Sequence, residues 1–290
     1  MAANMLKAIM NLDKIRNNHI NDMYLSKISI NNIGAGLEYY MKDLFCGTYE
    51  IEDVNEKEKR YSNYLSYLGN QNNPPDFIIE NSDAVEVKKI GSQGSRIALN
   101  SSYPKHKLYR EDPRITNACR TCESTEWEQK DIIYTIGVVK QEELKLLWFI
   151  YGDCYAASKE VYKKIYDNIK AAVHTEGYEF TETNELGKIK RIDPLGITDL
   201  RIRGMWHIDN PIKVYDYLDV KYNKANDLTV YAIMREDKYN AFSSEDQDNI
   251  EALSKQDESP INIENVEIKD PDNAANYINA KLIKGIYNDL

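Results

Sequence analysis

The sequence predicts an α/β fold in which helices flank a central sheet, and three observations carry that reading. Two neighbouring apolar, partly β-branched runs, Asp131 to Val139 and Leu144 to Tyr151, have the composition of central strands joined by a short connection. Two stretches with apolar residues at helical spacing stand on either side of them. Between the first of these stretches and the strands lies a hairpin signal, two short β-type runs separated by Asn81-Ser82-Asp83.

Taken in order, a helix is read near the end of the opening 45 residues, where Ile33, Leu37, Tyr40, Met41 and Leu44 fall on one stripe. Glu38 and Lys42 stand four apart on its surface, by spacing alone an ordinary ion pair. The charged stretch Glu52 to Lys59 reads as loop or exposed helix. Asn70 to Pro75, with three asparagines and two prolines, predicts a break in regular structure. Asp76 to Glu80 and Ala84 to Ile90 form the hairpin, which Gly91 to Ser95 ends, and Ile97 to Tyr109 reads as irregular. In Lys159 to Val173 the residues Val161, Ile165, Ile169 and Val173 recur every four positions, a helix suited to cover one face of the sheet. Strand-like runs continue at Asp199 to Trp206, Ile212 to Val220 and Leu228 to Met234. Nothing before about residue 236 resembles a linker, so residues 1–235 are expected to form one domain. Residues 236–290 are expected to be an acidic C-terminal extension packed on it.

The chain has 290 residues, 42% of them hydrophobic, enough to close a core and too many for a disordered protein. Its longest unbroken apolar run, Leu146 to Tyr151, is far too short to span a bilayer. Lys7, Asp13, Lys14 and Arg16 interrupt the N-terminal region, which therefore lacks the apolar block of a secretion signal, and a cytoplasmic location is expected. Four irregularly placed cysteines predict thiols. Cys119 and Cys122 form a single CxxC, half of a tetrahedral zinc site with no second half, and read as small buried side chains. His19, His106, His174 and His207 are scattered without metal spacing. The absence of a P-loop, a dinucleotide fingerprint or a Gly-x-Ser-x-Gly elbow removes the usual support for nucleotide hydrolysis and serine esterase chemistry.

A net charge of -10 argues against a nucleic-acid partner only if it is evenly spread, and it is not. Residues 236–290 hold thirteen acidic and five basic side chains. Residues 81–120 run the other way, with Lys88, Lys89, Arg96, Lys105, Lys107, Arg110, Arg114 and Arg120 against four acids, a balance that suits a face meeting phosphate. Lys188, Lys190, Arg191, Arg201 and Arg203 form a second cationic group.

The hairpin is where chemistry is expected. Alternation along a strand points Glu86 and Lys88 to one side, and Asp76 lies across the hairpin where its carboxylate converges on Glu86. Two such carboxylates raise each other's pKa unless a cation lies between them. A hard divalent ion such as Mg2+ accepts a few carboxylate oxygens and keeps positions for water and phosphate. That arrangement serves metal-assisted phosphodiester hydrolysis, with Lys88 orienting the attacking water or neutralising the oxyanion.

Pro75-Asp76, followed after nine residues by Glu86-Val87-Lys88, resembles the PD-(D/E)xK nuclease signature. Asn32-Ile-Gly-Ala-Gly-Leu-Glu38, continuing to Phe45, is similar to the N-terminal helix of that superfamily, whose glutamate helps to bind metal. Leu99 to Lys105, Asp112 to Arg120, Lys130 to Tyr134, Tyr151 to Tyr155 and Leu200 to Trp206 resemble, in the same order, segments of the NgoPII family of type II restriction endonucleases. The resemblance covers roughly residues 32–206. From about residue 236 nothing resembles the family, and the acidic stretch reads as peculiar to this protein.

The resemblance implies a restriction-endonuclease-like core with a mixed central sheet. It implies an enzyme that cuts both strands of DNA at a short palindrome, GGCC in the family, with Asp76, Glu86 and Lys88 catalytic and Mg2+ held by Asp76, Glu86, Val87 and Glu38. A palindrome is two-fold symmetric, so a homodimer on double-stranded DNA is the expected assembly, and a cognate DNA methyltransferase must protect the same site in the host. Arg201 and Arg203, which alternation points the same way, suit guanine O6 and N7 in the major groove. Ser101, Ser102, Lys105 and Lys107 suit backbone phosphates, and Arg114 and Arg120 are further DNA-binding candidates. The alternatives are a structure-specific repair nuclease or junction resolvase on the same core, and a catalytically idle DNA-binding module.

Overall fold

The computed structural model describes residues 3–20, 33–70, 73–173, 179–181, 186–288 and 290. Asn32, Gln71, Asn72 and His174 lie outside the described residues. Among the described residues, the opening region carries two helices where one was expected. α1 (Met5–Ile15) begins at Asn4, whose side chain accepts from Lys7 N at 2.9 Å. α2 (Ile33–Cys46) buries Leu37, Tyr40, Met41 and Leu44, the stripe that spacing predicts. The charged stretch after it is α3 (Val54–Tyr61), and it is not simply exposed. Lys57 and Tyr61 are buried against the fully buried Asp43 of α2, at 2.6 and 2.7 Å, so ion pairing and hydrogen bonding dock α3 on the helix that carries Glu38.

The expected break falls where two strands pair, Asn70 ending one and Asn73, Pro74 and Pro75 opening the next. β1 (Leu65–Asn70) and β2 (Asn73–Ile79) are antiparallel, with Leu68 opposite Phe77 and Asn70 opposite Asn73. The prolines are tolerated because Pro74, Pro75 and Asp76 bulge out opposite the single residue Gly69, where no ladder donor is required of them. β3 (Ala84–Ile90) completes the hairpin with β2 as expected. The segment after it is largely irregular, with only the short strands β4 (Ile97–Ala98) and β5 (Lys107–Tyr109).

β6 (Gln129–Lys140) and β7 (Glu143–Tyr151) are the central pair. Gln141 and Glu142, both at positive φ, make the two-residue turn between them. The helix expected at residues 159–173 is α4 (Lys159–Val173), but its apolar stripe does not cover the sheet. Tyr162 faces inward, stacked on Tyr103 at 5.5 Å between ring centroids, while Val161, Ile165 and Ile169 stay exposed. The tyrosine side won because its rings find Tyr103 and Trp206 to pack on.

β8 (Glu179–Thr181), β9 (Gly187–Lys190) and β10 (Leu200–Ile202) form a small separate sheet, and β11 (His207–Ile208) pairs with β4. Ile212 to Val220, expected as a strand, is helical in two short turns, at Pro211–Val214 and Asp216–Leu218. Asn210 caps the first, accepting from Ile212 N at 3.1 Å, and Pro211 supplies the preset φ of a first helical residue. β12 (Leu228–Arg235) is the strand expected there. The acidic end contributes α5 (Ser244–Ser254), β13 (Ile261–Lys269) and β14 (Tyr277–Tyr287).

The main sheet runs in the order β1-β2-β3-β6-β7-β12-β14-β13, with β5 paired to β6 off that path. It is mixed, since β3 and β6 are parallel, as are β7 and β12, and the other pairs are antiparallel. β6, β7 and β12 are buried along almost their whole lengths, which explains their near-continuous apolar sequences. Among the described residues no helix is long and apolar enough to cross a membrane.

The eight-residue pairing of β14 with β12, from Leu228 opposite Tyr287 to Arg235 opposite Ala280, generates a prediction. A chain ending at residue 235 should leave a buried strand with an open edge, and is expected to aggregate and show no cooperative thermal unfolding by circular dichroism.

Candidate active site

The hairpin β2–β3 forks at the candidate site. Its ladder pairs Ile78 with Ala84 and Phe77 with Val85, and there it stops. At the next position the Asp76 carboxylate takes over, with Oδ2 accepting from Val87 N at 2.6 Å. β2 continues with β1 while β3 continues with β6, so Asp76 and Glu86 face each other where the two strands part.

Glu86 and Lys88 share one side of β3, as alternation requires, and Lys88 Nζ donates to Glu86 Oε1 at 2.6 Å. The other oxygen, Glu86 Oε2, is buried and has no hydrogen-bond partner. Burial, with the charge of Glu86 beside it, holds the Asp76 carboxyl well above the usual carboxylate range, against the pull of Lys88 and the Val87 N–H. Burial works to lower the Lys88 ammonium, but the carboxylates of Glu86 and Asp76 outweigh it and hold that group above its ordinary value. Glu38, on α2, adds to both effects, so it stands within electrostatic reach of the pair. Its own Oε1 accepts from Lys42 Nζ at 2.6 Å, and that lysine is buried rather than on the surface.

A facing carboxylate pair with one buried oxygen that has no hydrogen-bond partner suits a cation. Its donors are hard oxygens, which fit Mg2+ better than a zinc-type ion. Among the described residues no three His, Cys, Asp or Glu side chains cluster as a metal cage by themselves. A cation here would therefore draw first on the two facing carboxylates and then on further oxygens, from Glu38, water or substrate, the habit of Mg2+. The cysteines are all free, and burial pushes the Cys119 thiol up to about 12, far from a metal-ready thiolate.

The turn of the hairpin is held from outside by residues that spacing did not single out. Glu123 accepts from Asn81 N at 3.1 Å and from Ser66 Oγ at 2.9 Å, and Lys130 Nζ donates to Ser82 O at 2.9 Å. Buried Asp83 accepts from Tyr151 Oη at 2.7 Å and from Lys238 Nζ at 2.8 Å. Lys238 belongs to the acidic end of the chain, which thus reaches back to the β2–β3 hairpin.

The expected DNA-contact residues separate into groups. Ser101 and Ser102 are partly exposed in the loop that follows β4. That loop is stitched to Trp206, since Leu99 N donates to Trp206 O at 2.9 Å and Trp206 N donates to Asn100 O at 2.8 Å. The stitching brings the arm carrying Arg201 and Arg203 beside the segment that leaves β3. Both arginines are exposed, and Arg201 lies opposite Lys188 on β9. Arg114 lies over the Tyr103 ring, 5.5 Å from its centroid. Lys105, in contrast, is buried and bonded to Asp112, and Lys107 is bonded to Asp131. Arg120 donates to Asp112 O at 2.7 Å and to Arg110 O at 3.0 Å, holding a loop together. A lysine far from water pairs with the nearest carboxylate, because desolvation costs more than a distant phosphate returns.

Lys105 generates a prediction. Burial acts to raise the Asp112 carboxyl, but Lys105 and the Arg114 N–H hold it below its ordinary value. The pair's contribution to stability is therefore present above the ordinary carboxylate pKa and is lost as pH falls through the lowered one. Lys105→Met should cost about 3–5 kcal/mol in denaturant unfolding at neutral pH, by stranding a buried carboxylate. The difference from wild type should shrink as pH falls, starting above the ordinary carboxylate pKa because burial without Lys105 raises Asp112 in the variant, and should vanish once pH has passed the lowered pKa of the wild-type carboxyl.

The NgoPII restriction endonuclease family matches residues 3–269 of the chain. The match extends through the first part of the acidic end, so that stretch is not peculiar to this protein. The type II restriction enzyme NgoPII of Neisseria gonorrhoeae is 44% identical over 282 residues, covering 97% of this chain and 98% of that enzyme. No solved structure matches. A mixed sheet whose hairpin forks at facing carboxylates, and a match over almost the whole length, agree: the chain belongs to the NgoPII restriction endonuclease family and is a type II restriction endonuclease.

Proposed function

We propose that the enzyme makes Mg2+-dependent double-strand cuts in DNA at a short palindrome, GGCC, acting as a homodimer with one active site for each strand. The observation that carries the chemistry is the pairing of Asp76 and Glu86 at the fork, with Glu86 Oε2 buried and unpartnered. Asp76, Glu86, the main chain of Val87 and, from α2, Glu38 would hold the ion. Mg2+ bound there supplies positive charge to the phosphate oxygens and makes a water easier to deprotonate. Lys88, held on Glu86 at 2.6 Å, keeps a proton donor and a positive charge at the scissile phosphate. Asp76, anchored on the Val87 N–H, keeps its carboxylate aimed into the fork rather than toward solvent.

For recognition, the exposed Arg201 and Arg203 are the proposed readers of guanine, and Ser101, Ser102 and Arg114 the proposed contacts to the backbone. Lys105, Lys107 and Arg120 hold the scaffold beneath them. Two-fold symmetry of the site calls for an isologous contact between copies. The exposed Val161, Ile165 and Ile169 offer apolar surface of the kind such a contact covers. A methyltransferase acting on the same sequence is the functional partner, since an unprotected genome would be cut.

Digestion of unmethylated plasmid in Mg2+ should give discrete fragments with one common end sequence. Cutting confined to branches or mismatches would replace this reading with a repair nuclease or resolvase. Asp76→Ala and Glu86→Ala should each abolish cleavage while leaving cognate DNA affinity largely intact in gel-shift titrations, and loss of both together in a folded variant would count against the metal role. Arg201→Ala or Arg203→Ala should cost about 1–3 kcal/mol at the cognate duplex and much less on random DNA. Equal weakening on both would make these arginines phosphate contacts.

A further inference from the structure

The bulge that carries Asp76 rests on one residue of the neighbouring strand. Between the pairs Leu68–Phe77 and Asn70–Asn73, β2 has Pro74, Pro75 and Asp76 where β1 has only Gly69. A β-carbon on Gly69 would lie 2.2 Å from Pro75 O, 2.9 Å from Asp76 O and 3.1 Å from Asp76 Cα. These are main-chain atoms, so no side-chain rotation relieves the overlap, and the bulge itself would have to retreat by about 1 Å. The Asp76 carboxylate moves with that backbone, and its bond to Val87 N is only 2.6 Å long.

We propose that Gly69 is a positioning residue of the nuclease site: its bare backbone lets the Pro75–Asp76 peptide press flat on β1, and this seating sets the Asp76 carboxylate against Glu86 at the spacing a divalent cation needs. The inference rests on the reading of Asp76 as a metal-binding carboxylate. A misplacement of about 1 Å in a reacting constellation is enough for a rate loss of about 100-fold.

The test compares Gly69→Ala with wild type, Asp76→Asn and Leu68→Ala, whose side chain points from the same strand into solvent. Mn2+ binding to the enzyme–cognate DNA complex is measured by electron paramagnetic resonance, beside single-turnover cleavage in Mg2+. Gly69→Ala is expected to weaken Mn2+ binding at least ten-fold, in order-of-magnitude terms, and to slow cleavage about 100-fold, with KM for DNA unchanged. Leu68→Ala should behave as wild type. If Asp76→Asn loses Mn2+ while a folded Gly69→Ala keeps it, the positioning role is overturned and the metal site stands. If Asp76→Asn binds Mn2+ as wild type does, the reading of the site itself has failed. Should Gly69→Ala not fold, Asn73→Ala decides, because it loosens the same bulge by removing the 2.8 Å bond from Asn73 Nδ2 to Arg114 O and adds no atoms. Weaker Mn2+ binding in that variant supports the proposal, and unchanged binding overturns it.

Discussion

The hydrogen bond from Val87 N to the Asp76 carboxylate is the constraint on which the site depends. It replaces the next rung of the β2–β3 ladder with a side chain, so that the strands part without stranding a buried main-chain donor. Parting is what leaves room between Asp76 and Glu86, and continued pairing of β3 with β6 keeps Glu86 and Lys88 on a rigid strand while it happens. The cost is carried in the charges. Asp76 is held well above its ordinary pKa, chiefly by burial and by Glu86, and Glu86 Oε2 has no hydrogen-bond partner. Such unsatisfied polarity is expensive in a scaffold and useful in a site that must bind a cation.

A fork of this kind needs both of its arms held. On one side, β1 and the prolines hold the bulge. On the other, Glu123, Lys130, Tyr151 and Lys238 converge on the three-residue turn at Asn81 to Asp83. Lys238 comes from the acidic end of the chain, whose strand β14 also closes the flank of β12. The last fifth of the sequence is thus tied into the β2–β3 hairpin as well as into the sheet. Behind the fork, α2 presents Glu38 at a depth set by Asp43, which α3 anchors through Lys57 and Tyr61.

The basic residues of 81–120 show how little net charge says about individual roles. Of the lysines and arginines in that segment, Lys88 serves the site, Lys105 and Lys107 neutralise buried or half-buried carboxylates, and Arg120 satisfies loop carbonyls. The basic surface left unengaged by these scaffold bonds is narrower than the count of charges suggests. The proposed DNA surface lies where the loop after β4 meets the arm bearing the exposed Arg201 and Arg203.

Period and composition were legible in the sequence wherever one element decides its own structure. The hairpin, β6, β7, β12, the buried stripe of α2 and the existence of α4 follow from local alternation or helical spacing. So does the shared side of Glu86 and Lys88, because strand alternation is local geometry. Tertiary structure decided what depends on a partner distant in the chain. Which face of α4 turns inward was set by Tyr103 and Trp206, and the prolines stayed in a strand because Gly69 lay opposite. The helical turns at Pro211–Val214 and Asp216–Leu218, locally favoured by the Asn210 cap, are fixed where buried Tyr215 donates to Cys154 O, and the acidic end joined the sheet because β12 offered an edge. Lys105 and Lys107 turned inward because carboxylates seven and twenty-four residues away met them there. Spacing records which groups can share a face, but desolvation, which acts only once the chain has folded, chooses the partner each group keeps.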